Sequence, residues 1–211
     1  MYAALYIWLG AFFDFIDGFS ARLLKISSPL GQHLDPLADL VTFGLLPSVI
    51  MYRLIQEETT SLYLPFIAML ITVFSALRLA QFNIGKGQKK VFIGLPTPAN
   101  AVLISTLPLI MLFGRYTFFT HFITHPYTLS SLTVLFSFLL VANIKLMAFK
   151  FTTYAWYPNR LKYIFLLCAI VLVATFYVEG IVLAILLYII LSLFFHKSLY
   201  AQTKLKNNKK A

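Results

Sequence analysis

The chain is built from long apolar stretches that are interrupted by short groups of polar and charged residues. Most stretches approach the roughly 20 residues that an α-helix needs to cross the bilayer core of about 30 Å. None alternates with the period of a barrel strand, and backbone groups in lipid must be satisfied internally, so we interpret the stretches as helices. The predicted spans cover residues 1–22, 35–54, 62–82, 97–114, 128–148, 162–178 and 180–196.

This pattern predicts an all-α integral membrane protein, a polytopic helical bundle of about seven hydrophobic spans. Only Glu179 and Gly180 separate the last two spans, which are therefore expected to form a tight helical hairpin. We predict a single transmembrane domain over residues 1–200 and a basic tail over residues 201–211.

Composition supports the membrane interpretation, since 60% of the residues are hydrophobic and 11% are charged, against about a quarter charged in soluble domains. The net charge of +10 raises the question of nucleic acid. When the spans are threaded alternately through the bilayer, however, all but Arg53 and Arg115 of the 17 Lys and Arg residues fall on one side. Basic residues mark the cytoplasmic side, where they also attract anionic membrane lipids, so we expect no nucleic-acid partner.

The seven acidic residues fall into two groups. The first group lies in predicted external connections, where we expect solvated side chains, and comprises Glu57, Glu58 and Glu179. The second group lies at the cytoplasmic ends of the first two spans and comprises Asp14, Asp17, Asp35 and Asp39. Ionised carboxylates near hydrocarbon are costly, so the second group indicates a functional site.

The spacing of these aspartates predicts a metal site. Asp14 and Asp17 are three residues apart and Asp35 and Asp39 are four apart, so each pair shares one face of its helix. The connection between the pairs has the composition of a turn, which brings two antiparallel helices together. Four converging carboxylates would repel one another, whereas two Mg²⁺ or Mn²⁺ ions with oxygen ligands would neutralise them.

Small residues lie between the aspartates of the first span. At 100° per residue, Gly18 and Ala21 occupy the helix face between the carboxylates, which leaves room for a ligand against the backbone. Arg22 lies on the flank of that face, where a guanidinium can clamp a pyrophosphate. Close helix packing is the alternative explanation for the two small residues.

Together these residues form the pattern Asp-x2-Asp-Gly-x2-Ala-Arg-x8-Gly-x3-Asp-x3-Asp, which runs from Asp14 to Asp39 and includes Gly31. This pattern resembles the signature of the CDP-alcohol phosphatidyltransferase family at every position and spacing. The segments 13–44, 78–83 and 94–100 are most similar to the bacterial, membrane-integral phosphatidylserine synthases. The resemblance covers roughly residues 1–110.

The resemblance implies transfer of a phosphatidyl group from CDP-diacylglycerol to a small alcohol, with release of CMP. It implies that Asp14, Asp17, Asp35 and Asp39 form the metal site, with the first three as ligands of two divalent ions and with Asp39 also as the general base. Residues that would line the CDP moiety are Asp17, Gly18, Ala21, Arg22 and Gly31. It also implies a homodimer in the bacterial cytoplasmic membrane, with the active site at the cytoplasmic face. Family members begin with a further helix before the one that carries Asp14, and we expect that helix to be missing here.

Serine is the acceptor that the resemblance implies. Its carboxylate requires a cation, for which Arg78 is the first candidate, with Asn83 as a weaker acceptor-binding candidate. Arg78 as a charge that only sets topology is the alternative. Two further functional hypotheses stay open: another acceptor such as glycerol 3-phosphate or inositol phosphate, and a cation transporter whose aspartates bind the transported ion.

Overall fold

The structure is a computed structural model that describes residues 2–24, 28–84, 92–146 and 156–208. Its α-helices are α1 (Tyr2–Leu24), α2 (Pro29–Asp39), α3 (Leu46–Glu58), α4 (Met69–Ile84), α5 (Thr97–Phe113), α6 (Thr117–Thr124), α7 (Pro126–Val141) and α8 (Trp156–Asn208). A π-helical turn (Leu40–Leu45) joins α2 to α3, and a 3₁₀ turn (Leu64–Ala68) leads into α4. The predicted all-α membrane architecture is confirmed.

Within the described residues, four segments are long and apolar enough to cross a membrane, namely Tyr2–Ala21, His33–Glu58, Leu64–Asn83 and Asn159–Phe194. The helices α5 and α7 are apolar but shorter. Each of these six segments overlaps a predicted span, and the last one contains both members of the predicted hairpin.

The core lies between α3, α4, α5 and α7, where α4 packs against α7 and α5 packs against α3. Met51, Ile71, Ile104 and Leu129 are fully buried there, one from each helix. The helices α1 and α8 pack on α5 from the outside. Large apolar side chains on α1 and α8 remain exposed, which is what lipid-facing helices require.

α8 folds back on itself. Tyr177 has a φ of 51° and a ψ of −117°, which no helix contains. A continuous helix would hold Phe165 and Tyr188 about 35 Å apart, yet their ring centroids are 5.9 Å apart. We call residues 156–176 the first arm and residues 178–208 the second arm of α8. The predicted hairpin is confirmed, and it turns two residues earlier than predicted.

Gly180 follows this turn because a side chain there would collide with the first arm. A Cβ at Gly180 would overlap the carbonyl oxygen of Leu172 and would lie 2.7 Å from the Cα of Val173. The absence of a side chain therefore lets the two arms approach closely where the chain reverses.

The prediction that Glu179 is solvated is wrong, because only 1% of its surface is exposed. Its Oε1 atom accepts hydrogen bonds from the backbone N–H groups of Arg115, at 2.7 Å, and Tyr116, at 3.2 Å. The Arg115 guanidinium lies over the Tyr177 ring, 5.7 Å from its centroid. Glu179 thus ties the α8 turn to the connection between α5 and α6. Glu57 and Glu58 are exposed, as predicted.

The predicted span 128–148 extends too far, since α7 ends at Val141. Beyond it, Lys145–Leu146 pairs antiparallel with Phe92–Ile93 in a two-residue ladder. Gly94 adopts a φ of 74°, and a Cβ there would collide with the carbonyl oxygen of Leu140. The ladder and this close approach bring the start of α5 onto the end of α7. The short helix α6 is a further difference, because a plain connection was predicted there.

Candidate active site

The aspartates of the first two spans lie at one depth in the bundle. A Cβ built on Gly10 would be 2.6 Å from the Cγ2 atom of Thr42, so α1 touches the π-helical turn there. Asp14 is four residues beyond Gly10, and Asp39 is three residues before Thr42. Because α1 and α2–α3 are antiparallel, the step from Gly10 to Asp14 and the step from Thr42 back to Asp39 lead toward the same end of the bundle. They measure about 6 Å and about 4.5 Å.

Three of the four aspartates converge closely. Each of Asp14, Asp17 and Asp35 offers a carboxylate oxygen within 4.8 Å of the other two. Asp14 is half-buried, while Asp17 and Asp35 are exposed. A donor set made only of carboxylate oxygens suits a hard divalent cation. These residues therefore fit a divalent metal centre open on one side to a ligand.

Asp39 does not belong to this group of carboxylates that lie within 4.8 Å of one another. It is half-buried, and its carboxylate interacts electrostatically with Asp14, Asp35 and Asp17. The positive charge of Arg78 attracts the Asp39 carboxylate, whereas the three other carboxylates repel it. The fourth carboxylate thus interacts with both the triad and a cation, whereas Asp17 and Asp35 of the triad are exposed.

Local sequence explains how α2 presents its two aspartates. Ser28 caps the helix by accepting a hydrogen bond from the Gly31 N–H at 3.0 Å. Directly after Asp39 the chain enters the π-helical turn, where the N–H of Leu46 bonds to the carbonyl of Val41, five residues back. Such turns carry an extra residue and recur at functional sites. The α2 face that carries the aspartates is thereby rotated relative to α3.

The face between the first two aspartates is open. A Cβ built on Gly18 would meet no heavy atom within 4 Å, and Ala21 is exposed. This excludes tight packing at Gly18 against any described part of the chain and leaves space for a ligand. Gly31 has a local constraint instead, because a Cβ there would lie 3.0 Å from the capping oxygen of Ser28. Arg22 belongs to α1, and its side chain lies outside the described part of the structure.

Arg78 reaches the site from α4. The hydroxyl of Thr72 donates to the carbonyl of Gly44 at 3.4 Å, and a Cβ on Gly44 would be 3.0 Å from that of Ser75, so α4 is held against the π-helical turn. Arg78 follows one turn later and interacts electrostatically with Asp39 and Tyr188.

The other acceptor-binding candidate is placed differently. Asn83 is exposed in the last turn of α4, about 140° around the helix from Arg78. The structure does not bring these two side chains to the same face of α4.

Two buried polar residues were missed by the sequence interpretation. Tyr188, on the second arm of α8, is buried beside the guanidinium, and its hydroxyl hydrogen-bonds Ser192. Asn100, in the second turn of α5, is fully buried. Tyr188 belongs to an uninterrupted apolar run, so no sequence signal marks it, whereas an amide next to Thr97 and Pro98 in an otherwise apolar helix is a weak signal.

Comparison with known proteins agrees with this geometry. The family model described as CDP-alcohol phosphatidyltransferase matches residues 1–152. CDP-diacylglycerol–serine O-phosphatidyltransferase of Bacillus subtilis is 37% identical over 153 residues, 70% of this chain and 76% of the relative. The proteins of the same name are 36% identical in Helicobacter pylori, over 65% of this chain and 56% of the relative, and 31% identical in Methanocaldococcus jannaschii, over 74% and 64%.

Proposed function

Because the chain belongs to the CDP-alcohol phosphatidyltransferase family, we propose that it transfers the phosphatidyl group of CDP-diacylglycerol to the hydroxyl of L-serine, giving phosphatidylserine and CMP. The observation that carries this proposal is the convergence of Asp14, Asp17 and Asp35 within 4.8 Å, with Asp39 at the same depth beside them. The names of the three relatives support serine as the acceptor.

Asp14, Asp17 and Asp35 would hold the divalent metal, in this proposal two ions of Mg²⁺ or Mn²⁺. When bound, such ions neutralise charge on the pyrophosphate and stabilise CMP as the leaving group. The open space at Gly18 and Ala21 admits the CDP moiety against α1, with Asp17, Arg22 and Gly31 as its other neighbours.

Asp39 acts as the general base on the serine hydroxyl. It lies outside the tight triad, so its carboxylate is free to take a proton when the hydroxyl comes within hydrogen-bond reach. The serine oxygen then forms a bond to the phosphorus that bears diacylglycerol, and the bond from that phosphorus to CMP breaks. No covalent enzyme intermediate is required, and holding donor and acceptor in line supplies much of the rate.

Arg78 binds the carboxylate of serine in this proposal. It is the residue whose positive charge acts on Asp39, so an anion bound to its guanidinium would hold the amino acid beside the base. Asn83, exposed on another face of α4, is the weaker contributor to the acceptor site.

The proposed location is the bacterial cytoplasmic membrane, with the aspartates at the cytoplasmic face. All but two of the 17 Lys and Arg residues lie on that side when the spans are threaded alternately, as the positive-inside rule requires. Anionic lipids would contact the basic residues of the predicted tail. Residues 209–211 of that tail lie outside the described residues. A homodimer is proposed on the family resemblance alone.

The acceptor is tested by CMP release in detergent micelles that contain CDP-diacylglycerol and Mn²⁺. We expect release with L-serine and none above background with glycerol 3-phosphate or inositol phosphate. Asp39→Asn serves as the inactive control, and Glu58→Gln, which changes an exposed carboxylate at the opposite end of α3, as the active one. Release with a different alcohol would refute serine as the acceptor.

A further inference from the structure

Asn100 is buried without a partner. None of its surface is exposed, and neither its amide oxygen nor its amide nitrogen hydrogen-bonds any described residue. A buried polar group without a partner costs about 1–3 kcal/mol, and a primary amide offers two donors and one acceptor with two lone pairs. An amide retained at this cost points to a ligand that supplies both an acceptor and donors.

The depth of Asn100 can be read from one hydrogen bond. The indole N–H of Trp8 donates to the hydroxyl of Ser105 at 2.8 Å, which fixes α1 and α5 at the same level there. Asp14 lies six residues beyond Trp8, about 9 Å along α1, and Asn100 lies five residues before Ser105, about 7.5 Å along α5. Because α5 runs antiparallel to α1, both steps lead toward the aspartate end, and Asn100 lies close to the depth of Asp14.

Further unpartnered polar atoms lie on α4 and α7. They are the hydroxyls of Ser75 and Ser137, both fully buried, and the Nε atom of Arg78. Phe74 and Phe138 are in edge contact at 5.3 Å, which places the two serines at one level of the α4–α7 interface. Ser75 also touches Gly44, five residues beyond Asp39. The two hydroxyls therefore lie deeper in the bundle than the aspartates, on the inner side of Asp39.

These polar side chains together carry one positive charge, which suits a zwitterionic ligand. Across α4, α5 and α7, Arg78 is the single charged residue. One guanidinium with an amide and two hydroxyls matches one carboxylate, one ammonium and one hydroxyl. A phosphorylated alcohol carries about two negative charges and would leave one of them without a cation on these helices.

We infer that Asn100 is a specificity-determining residue of the acceptor site, whose amide hydrogen-bonds the amino-acid head group, with Ser75 and Ser137 lining the inner end of the pocket. The amide oxygen accepts from the ammonium, and the amide N–H donates to the carboxylate that Arg78 holds. This inference rests on the proposed function, and it explains why an amide is kept at a fully buried position.

The test measures KM for serine and KM for CDP-diacylglycerol separately, by CMP release with Mn²⁺, for the wild-type chain and for Asn100→Leu. Leucine keeps the branched arrangement of heavy atoms and replaces the amide oxygen and nitrogen by bulkier methyl groups. Loss of a hydrogen bond to a charged group predicts a serine KM raised about ten- to a hundredfold. We expect the KM for CDP-diacylglycerol to stay within twofold. Asn100→Ala is measured in parallel in case leucine does not fit, with the same expected split.

Ser105→Ala is the matched control, because it removes a buried hydroxyl from the same helix by cutting the bond to Trp8. It is expected to lower the melting temperature without a selective change in the serine KM. The inference would be overturned if the Asn100 variants changed the KM for serine and the KM for CDP-diacylglycerol equally, or changed neither. Either result would indicate that the amide binds only water. Absence of serine-dependent release by the wild-type chain would instead overturn the proposed function and this inference with it.

Discussion

Carboxylates occur at both ends of the bundle, and the two ends satisfy them differently. At one end, the Oε1 atom of the buried Glu179 accepts two backbone hydrogen bonds from the α5–α6 connection, while its Oε2 atom has no partner among the described residues. At the other end, Asp14, Asp17 and Asp35 point carboxylate oxygens at one another within 4.8 Å. A carboxylate that is paired with protein donors stabilises the fold, whereas carboxylates that face one another destabilise it until a cation binds. The first arrangement is structural, and the second requires a ligand.

The largest effect is expected for the triad. Asp17→Asn removes one negative oxygen from the metal site, and loss of several kcal/mol of transition-state stabilisation predicts a fall in turnover of about a thousandfold or more. Thermal unfolding with and without Mn²⁺ gives a second measurement. The wild-type chain should gain stability on metal addition, and the variant should gain little.

The melting temperature of Asp17→Asn without metal tests whether the carboxylates of the triad repel one another. Because it relieves repulsion within the triad, its melting temperature without metal should equal or exceed that of the wild-type chain. A clear decrease would show that the triad is held together by interactions within the protein, as Glu179 is, and would contradict the comparison.

Asp39→Asn tests whether the fourth aspartate has a role separate from the triad. Loss of a general base predicts a decrease in kcat of about a hundred- to ten-thousandfold. The stabilisation by Mn²⁺ should persist, since the triad that excludes Asp39 is intact. Unchanged turnover would refute the general-base role, and loss of the Mn²⁺ effect would make Asp39 a metal ligand instead.

Glu179→Leu should have the smallest effect on activity and a clear effect on stability. It leaves the N–H groups of Arg115 and Tyr116 without their acceptor, which predicts a loss of about 1–3 kcal/mol in the free energy of unfolding. We expect kcat to stay within about twofold, measured on micelles of equal folded fraction. Glu179→Gln keeps an oxygen acceptor and should lose less. A large fall in kcat for folded Glu179→Leu protein would contradict a purely structural role.

Much of the site was predictable because its residues are close in sequence. The spacing of Asp14 with Asp17 and of Asp35 with Asp39 fixes their helix faces, and a short turn between two spans fixes their relative direction. The hairpin in α8 was predictable for the same reason, since a lone polar pair interrupts two apolar runs. The wrong prediction for Glu179 arose because burial depends on the α5–α6 connection, more than 60 residues away, which no local pattern reveals.

The remaining differences also involve distant contacts. α7 ends at Val141 because the chain turns into the ladder with Phe92–Ile93, although its apolar composition continues. The π-helical turn after Asp39 packs closely on α4, where a Cβ on Gly44 would lie 3.0 Å from that of Ser75. The environment of Asn100 depends on the register that Trp8 and Ser105 set between α1 and α5. Hydropathy locates spans in a sequence, but it does not specify how one helix is aligned with another.

The most direct test of direct displacement by the serine hydroxyl uses L-serine labelled with ¹⁸O in that hydroxyl. The chain is reconstituted in liposomes with CDP-diacylglycerol and Mn²⁺, and both products are analysed by mass spectrometry. The proposed function predicts that phosphatidylserine carries the label and that CMP carries none. Unlabelled phosphatidylserine, label in CMP, or CMP formed without any phosphatidylserine would contradict it.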